Sequence, residues 1–530
     1  MLQDNLLLII SLLLVVSMLT MLSEKLRISY PILLVIAGLG IGFIPGVPAI
    51  TLEPDLVFII FLPPLLYAAA WNTSWNDFWR FRRPIGLLAF GLVIFTATAV
   101  AFVSNALIPG FTLSMGFLLG GIISPPDAIA ATSVLQQLKV PKRITAILEG
   151  ESLINDASSL IVFRFALVAI TTGQFVLWKA GVDFLLVAVM GTIIGLAIAH
   201  IVYLIHRFLP TTPSIDTAIT LISPYLMYIA AEHFHFSGVL AVVTGGLFLS
   251  FRSHEVFSYN TRIQAVSVWE TLVFLLNGVV FIMIGLELPY IIKELGENSI
   301  WDAIKYAVVI SIVTIIIRVV WVFPGAYIPR ALSRKIREKE PRPDWKSVFI
   351  VAWSGMRGVV SLASALAVPI TMSNGQAFPN RNLILFITFV VILFTLVLQG
   401  LSLPLLIRLL KIEEPESEAH HEHAIRLRLA TAVLELLNKS YAEESGTIEA
   451  FVRLKERYAR MADIASSRLK EDEKTQLSGS FVPKYRQMLL EAVQVRRAEL
   501  SKMARTKEFP DEMLRKREAE LDLEEARLRK

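Results

Sequence analysis

The 530-residue chain has no cysteine. Disulfides, cysteine-ligated metals and thiol catalysis are therefore excluded. Charge is scarce too. Asp, Glu, Lys and Arg make up 18% of the residues, against about a quarter in a soluble domain. GxSxG and HExxH patterns are missing, and no glycine-rich nucleotide loop stands out. These absences argue against an enzyme, and no cofactor is expected. The net charge is only +5. Much of the basic excess lies in short loops, which reads as a topology signal and not as a nucleic-acid footprint.

What is present is apolar. Hydrophobic residues reach 55%, and the mean hydropathy is +0.62. The excess is concentrated in residues 1 to 410, while 411–530 is polar and rich in Ala, Leu, Glu, Lys and Arg. A membrane domain followed by a helical cytosolic tail is expected. A spanning helix needs ~20 mainly apolar residues. Thirteen windows qualify, near 5–22, 29–45, 53–71, 84–108, 113–137, 144–170, 176–206, 215–232, 237–251, 268–292, 301–330, 346–371 and 382–409. The segment 255–267 reads as an interfacial helix. The first run has no basic leader and no A-x-A-like site, so it reads as a retained helix.

Loop charges alternate. Lys25 and Arg27; Arg80, Arg82 and Arg83; Lys139, Lys142 and Arg143; Arg207; Arg252 and Arg262; and the run from Arg330 to Arg342 all follow odd-numbered windows. The opposite loops are nearly bare apart from Lys293 and Arg381. The positive-inside rule then puts the N-terminus outside and the tail in the cytoplasm.

Polar residues inside the apolar runs mark the chemistry. A charge at the bilayer centre costs at least ~2.5–3.5 kcal/mol on insertion scales. Yet GESLINDASSLIVFRFAL, residues 150–167, carries Glu151, Asn155, Asp156 and Arg164, with Glu149 just before it. Residues three and four apart share a helix face, so Ser152 and Asp156 are neighbours, with Asn155 beside them. Hard cations prefer such oxygen ligands. The lack of His and Cys among them points away from a transition metal.

A second stretch, SPPDAIAATS, interrupts a helix with Pro125 and Pro126 directly before Asp127. Non-helical backbone at that depth must be buried in protein or line a cavity. A third, VAWSGMRGVVSLASAL, holds Gly355, Arg357 and Gly358 and reads as another break. Two interrupted segments at matching positions imply inverted repeats, helices 1–6 against 8–13. Arg318 is a further buried charge, and Glu151 is the candidate partner for Arg318 or Arg357.

FLPPLLYAAAW, SPPDAIAATSVL, ILEGESLINDASSLIVF, Arg318 and SGMRGVVSLASAL together resemble the monovalent cation:proton antiporters of the NhaP/NHE type, in a bacterial form. The likeness spans roughly residues 10–410. It implies an all-α polytopic membrane protein with thirteen helices, inverted repeats and two broken crossing helices. It implies a homodimer, with a dimerisation part near 1–80 and 215–295 and a core part near 84–170 and 300–410 that moves against it. It implies Asp156 as the carboxylate shared by cation and proton. Asp127, Ser152, Asn155 and Pro126 would complete the cation site, with the monovalent cation held at Asp156, Ser152 and Asp127. Glu151, Arg318 and Arg357 would supply the structural ion pair. Two positions depart from the family pattern. Ala68 stands where an acid often follows LPPxxx, and Pro126 and Ala128 flank Asp127 in place of Thr and Pro.

The expected activity is exchange of sodium, or lithium or potassium, for protons across the plasma (bacterial inner) membrane, serving pH homeostasis. Asn155 in place of a second Asp resembles the electroneutral members, so one-for-one exchange is expected. A potassium-selective antiporter is the alternative, with a channel or an ion sensor gated by the tail behind it. The tail itself reads as a regulatory or dimerising segment open to a further partner. His420, His421 and His423 read as part of a solvated linker.

Overall fold

The computed structural model describes residues 2–26, 28–44, 57–135, 138, 140–173, 177–293, 295, 299–339, 342–372, 375–412, 416–442, 448–470, 481–506 and 511–529. Arg27, Lys139 and residues 53–56 of the third window fall outside them. Among the described residues the only extended pairing is a single bridge, Thr371 to Ala377. Everything else of regular form is helical.

The helices run in order: α1 Leu2–Leu26, α2 Tyr30–Gly42, α3 Phe58–Asn72, α4 Arg82–Leu107, α5a Leu113–Ile123, α5b Ala128–Leu135, α6 Lys142–Thr172 and α7 Leu177–Phe208. Then come α8 Pro213–His233, α9 Gly238–Val256, α10 Tyr259–Lys293, α11 Ile300–Leu332, α12a Trp345–Trp353, α12b Val359–Leu366 and α13 Arg381–Leu410. Short helices Trp75–Arg80 and Arg334–Lys339 occupy two of the links. Among the described residues nine helices are long and apolar enough to cross a membrane, and α2 and α3 are shorter apolar helices. This is a multi-pass membrane protein.

Local chemistry sets the helix ends. The Thr112 hydroxyl accepts from the Met115 amide to open α5a, Thr212 from Ile215 to open α8, and Ser237 from Leu240 to open α9. Gly173 closes α6 at φ 70°, a left-handed conformation that costs glycine nothing. The segment 255–267 departs from the interfacial helix expected of it. Tyr259 onward is the first part of α10, which runs unbroken to Lys293. The hydroxyl of Thr261 donates to the Asp216 carboxylate at 3.1 Å, giving that polar turn a partner inside the protein.

Close backbone approach holds the bundle together where a hydrophobic drive between helices is weak. A Cβ on Gly38 would meet the Ile282 carbonyl oxygen at 2.2 Å, and one on Gly285 would meet that of Val35 at 2.2 Å. So α2 and α10 pack through reciprocal glycines. Buried side chains form two clusters. The larger joins α2, α4, α5, α10, α11, α12 and α13; the smaller joins α3, α7, α8 and α9. Helix α6 serves both: Leu148 and Phe163 enter the first, Leu153 and Ala157 the second. Its polar stripe is thereby placed between two apolar masses.

The chain divides into two compact units, Met1–Glu414 and Pro415–Lys530. The second holds α14 Glu416–Ser440, α15 Glu449–Lys470, α16 Phe481–Thr506 and α17 Asp511–Arg529. Helix α14 packs on α15 and α16 on α17. Arg497 pairs with Asp522 at 2.8 Å and Glu525 at 2.6 Å across the second hairpin.

Candidate functional site

Two interrupted helices meet beside α6. Between α5a and α5b, residues 124–127 are non-helical, as consecutive prolines require. Between α12a and α12b, residues 354–358 are non-helical. The breaks are joined directly: the Asp127 amide donates to the Met356 carbonyl at 2.7 Å. Contact is so close that a Cβ on Gly358 would lie 1.8 Å from the Asp127 Oδ2. Only glycine fits there.

Each broken end is electrically compensated. The Ile129 amide donates to Asp127 Oδ1 at 2.8 Å, and the amides of Ala130 and Val359 also face that carboxylate. One acid thus sits at the N-termini of both α5b and α12b, where helix dipoles favour negative charge. Arginines serve the opposite ends. Arg357 Nε donates to the Ile123 carbonyl, the last of α5a, at 3.0 Å, and its Nη1 donates to Gly355. Arg318 donates to the Val351 carbonyl in α12a at 3.3 and 3.1 Å.

Arg318 also answers the question of Glu151. Its two terminal nitrogens donate to the two Glu151 oxygens at 2.5 and 2.8 Å, and neither side chain is exposed. Arg357 does not share that carboxylate through a hydrogen bond; it serves backbone carbonyls instead. Arg164 is engaged elsewhere, with Glu232 of α8 at 2.6 Å.

The remaining candidates gather around one cavity of about 320 Å³. Pro126, Asp127, Ser152 and Asp156 line it. The Ser152 hydroxyl accepts from the Ala128 amide at 3.4 Å, tying α6 to the start of α5b. Asn155 stands just behind the wall. Its amide nitrogen donates to the Pro126 carbonyl at 3.2 Å, while its Oδ1 is buried with no partner among the described residues. Asp156 is 6% exposed, and no described residue donates a hydrogen bond to its carboxylate.

Four polar residues of the cavity lie outside the site expected from the sequence: Asn72, Thr132, Glu149 and Ser361. Ser361 is buried, and its hydroxyl has no partner among the described residues. Helical spacing flags Glu149, since it precedes Ser152 by three residues. Thr132 and Ser361 offered no signal beyond small polar residues in an apolar run. A separate buried cluster was not legible at all. His206 of α7 bonds one Asp216 oxygen of α8 at 2.8 Å, and the Thr261 hydroxyl of α10 donates to the other at 3.1 Å.

No group of three or more His, Cys, Asp or Glu suited to a metal ion occurs among the described residues. The arrangement offers a buried carboxylate, hydroxyls and backbone dipoles, which is the chemistry of a monovalent cation or a proton.

Apolar helices enclosing a buried acid beside two broken helices joined to each other define the class: a polytopic membrane protein with a buried acid in an internal cavity. The chain belongs to the sodium/hydrogen exchanger family, whose transmembrane model matches residues 10–409. Members of that family are cation:proton exchangers, transporters and not enzymes.

Relatives extend the match. The chain is 31% identical over 520 residues to the "Uncharacterized Na(+)/H(+) exchanger Rv2287" of Mycobacterium tuberculosis, covering 96% of this chain and 93% of that one. It is 33% identical over 388 residues to the "Sodium, potassium, lithium and rubidium/H(+) antiporter" of Bacillus subtilis, covering 72% of this chain and 58% of that one. Its fold is similar to the sodium proton antiporter MjNhaP1 from Methanocaldococcus jannaschii. The TM-score is 0.60 at 20% identity, covering 76% of this chain and 98% of that one.

Proposed function

We propose that this protein exchanges sodium for protons, one for one, with cation and proton competing for Asp156. The observation that carries the reading is the state of that carboxylate: nine-tenths buried, in a cavity, with no hydrogen-bond donor among the described residues. A buried charge without a partner is costly. It is relieved by a proton or by a cation, and one carboxylate holds one of them at a time. Ser152 and the Pro126 carbonyl would complete the cation's shell, and Asp127 would set the field at the crossing. Lithium and potassium are the alternative cargoes; the Bacillus subtilis relative is named for both.

Exchange requires the site to face each side in turn. In this reading thirteen helices cross the plasma membrane, with α1–α6 and α8–α13 as inverted repeats. The core (α4–α6 and α11–α13) slides against a scaffold (α1–α3 and α8–α10) that forms a homodimer. The N-terminus lies outside and the tail in the cytoplasm, where it serves dimerisation or regulation. The physiological role is pH homeostasis. Glu151, Arg318 and Arg357 keep the core rigid as it moves, since each compensates a broken helix or a buried charge.

Sealed proteoliposomes with a pH dye test this. Pulses of sodium, lithium or potassium are given at clamped zero voltage and again under an imposed potential. Proton movement that follows the cation and ignores voltage is expected. Cation movement without protons would favour a channel, and dependence on voltage would rule out one-for-one exchange.

A further inference from the structure

We infer that Glu149 is an entrance carboxylate: it gathers the cation at the mouth of the cavity and passes it to Asp156. The inference rests on the exchange reading above.

Two glutamates stand two residues apart on α6, and their surroundings differ entirely. Glu151 is wholly buried and holds Arg318 through both oxygens. Glu149 points the other way, as a two-residue step on a helix demands. It lines the cavity and has no hydrogen-bond or ion-pair partner among the described residues. A structural acid at this depth would be paired.

Position gives it a role. Seven residues separate Glu149 from Asp156, or about 10 Å along the axis on the same stripe, with Ser152 between them. Exposure falls along that line. Asn72, at the end of α3, is exposed; Glu149 is half-buried; Asp156 is 6% exposed. Asn72 lines both the inner cavity and a neighbouring depression of about 350 Å³ formed with Trp75, Ser250 and His254. Glu149 therefore stands between the surface and the buried, partnerless Asp156.

Charge agrees with position. Asp127, Glu149 and Asp156 are the acids of the cavity, and no Lys, Arg or His lines it among the described residues. Walls of one sign and low dielectric raise the local concentration of the opposite ion. Alternate oxygens at Glu149, Ser152 and Asp156 let a cation shed its water in steps.

Removing the Glu149 charge should weaken cation capture. Coulomb's law at an effective dielectric of ~20 and a separation of about 10 Å gives a change of roughly ten-fold. The test is cation-triggered proton flux in proteoliposomes of the full chain, read as KM and maximal rate at fixed pH. Native protein, Glu149→Gln, Glu149→Ala and Glu149→Asp are compared, with Asp156→Ala as control. The two neutral variants should raise the KM about ten-fold, with the KM carrying most of the change, and Glu149→Asp should restore most of it. Two neutral variants keep the test open if one fails to fold. A native KM in either neutral variant overturns the inference while leaving exchange at Asp156 intact. Equal losses in Glu149→Asp and Glu149→Gln also overturn it, since charge would then not be the cause. A native chain that moves no protons overturns the exchange reading and this inference with it.

Discussion

Glu151 of α6 and Arg318 of α11, far apart in the chain, exchange two hydrogen bonds of 2.5 and 2.8 Å with no exposed surface on either side chain. Arg318 also donates to Val351 in α12a, so one guanidinium links α6, α11 and α12a. Removing one partner strands a buried charge, at a cost of about 3–5 kcal/mol. Glu151→Gln and Arg318→Met should each lower the melting temperature of the detergent-solubilised protein markedly. The double variant should recover part of the loss. A native melting temperature in either single variant would contradict the assignment.

Arg357 makes a different bargain with its surroundings. It bonds the carbonyls of Ile123 and Gly355 at the two breaks. Arg357→Met leaves buried carbonyls without donors, at about 1–3 kcal/mol each. The Arg164–Glu232 pair, with side chains 46% and 29% exposed, is the contrast. Arg164→Met should cost no more than ~1 kcal/mol. Thermal unfolding of the two variants side by side checks the order; equal effects would refute it.

Gly358 has no room for a side chain. Its Cβ would lie 1.8 Å from the Asp127 Oδ2 and 2.8 Å from the Asp127 Cβ. Gly358→Ala must push the two breaks apart at the site itself. Displacements of ~1 Å at a reacting centre cost on the order of a hundred-fold in rate. Transport should fall by that order. Gly325→Ala, where a Cβ meets nothing within 4 Å, should transport normally. Near-native flux in Gly358→Ala would mean that the breaks do not define the site.

Competition for one carboxylate fixes the sign of the pH response. If proton and cation exclude each other at Asp156, as proposed, the apparent KM for the cation should rise as pH falls on the side where the cation binds. At high pH the return half-cycle runs short of protons, and the maximal rate should fall. Initial rates across pH and cation concentration give both limbs. A KM independent of pH would rule out a shared site.

Parts of this molecule were readable from the residues, and physical reasons separate them from the rest. The break before Asp127 was legible because two adjacent prolines cannot sustain helix bonding. Ser152 and Asp156 were legible as neighbours on one face because helix periodicity is fixed; Asn155 falls on the next stripe and stands behind the cavity wall. Which arginine meets Glu151 was not legible. Arg318 and Arg357 are both buried, and spacing says nothing of distance between separate helices. The unbroken course of α10 through residues 259–267 was missed for a related reason. Polar residues there suggest a separate interfacial helix, whereas they continue into α10 without a break, Thr261 buried against Asp216 while Asn260, Arg262 and Gln264 are exposed. Glu149 stood in view on the right stripe, but only the cavity reveals that it lacks a partner.

Asp156 is the carboxylate on which the proposed exchange depends, and proton release on cation binding tests its role most directly. Sodium is added to the purified protein in weakly buffered detergent solution near neutral pH, and released protons are counted with a pH dye. Saturable release approaching one proton per chain is expected as the starting pH is lowered, and none from Asp156→Asn. Release that survives Asp156→Asn unchanged would contradict that role, because cation and proton would then meet at some other group.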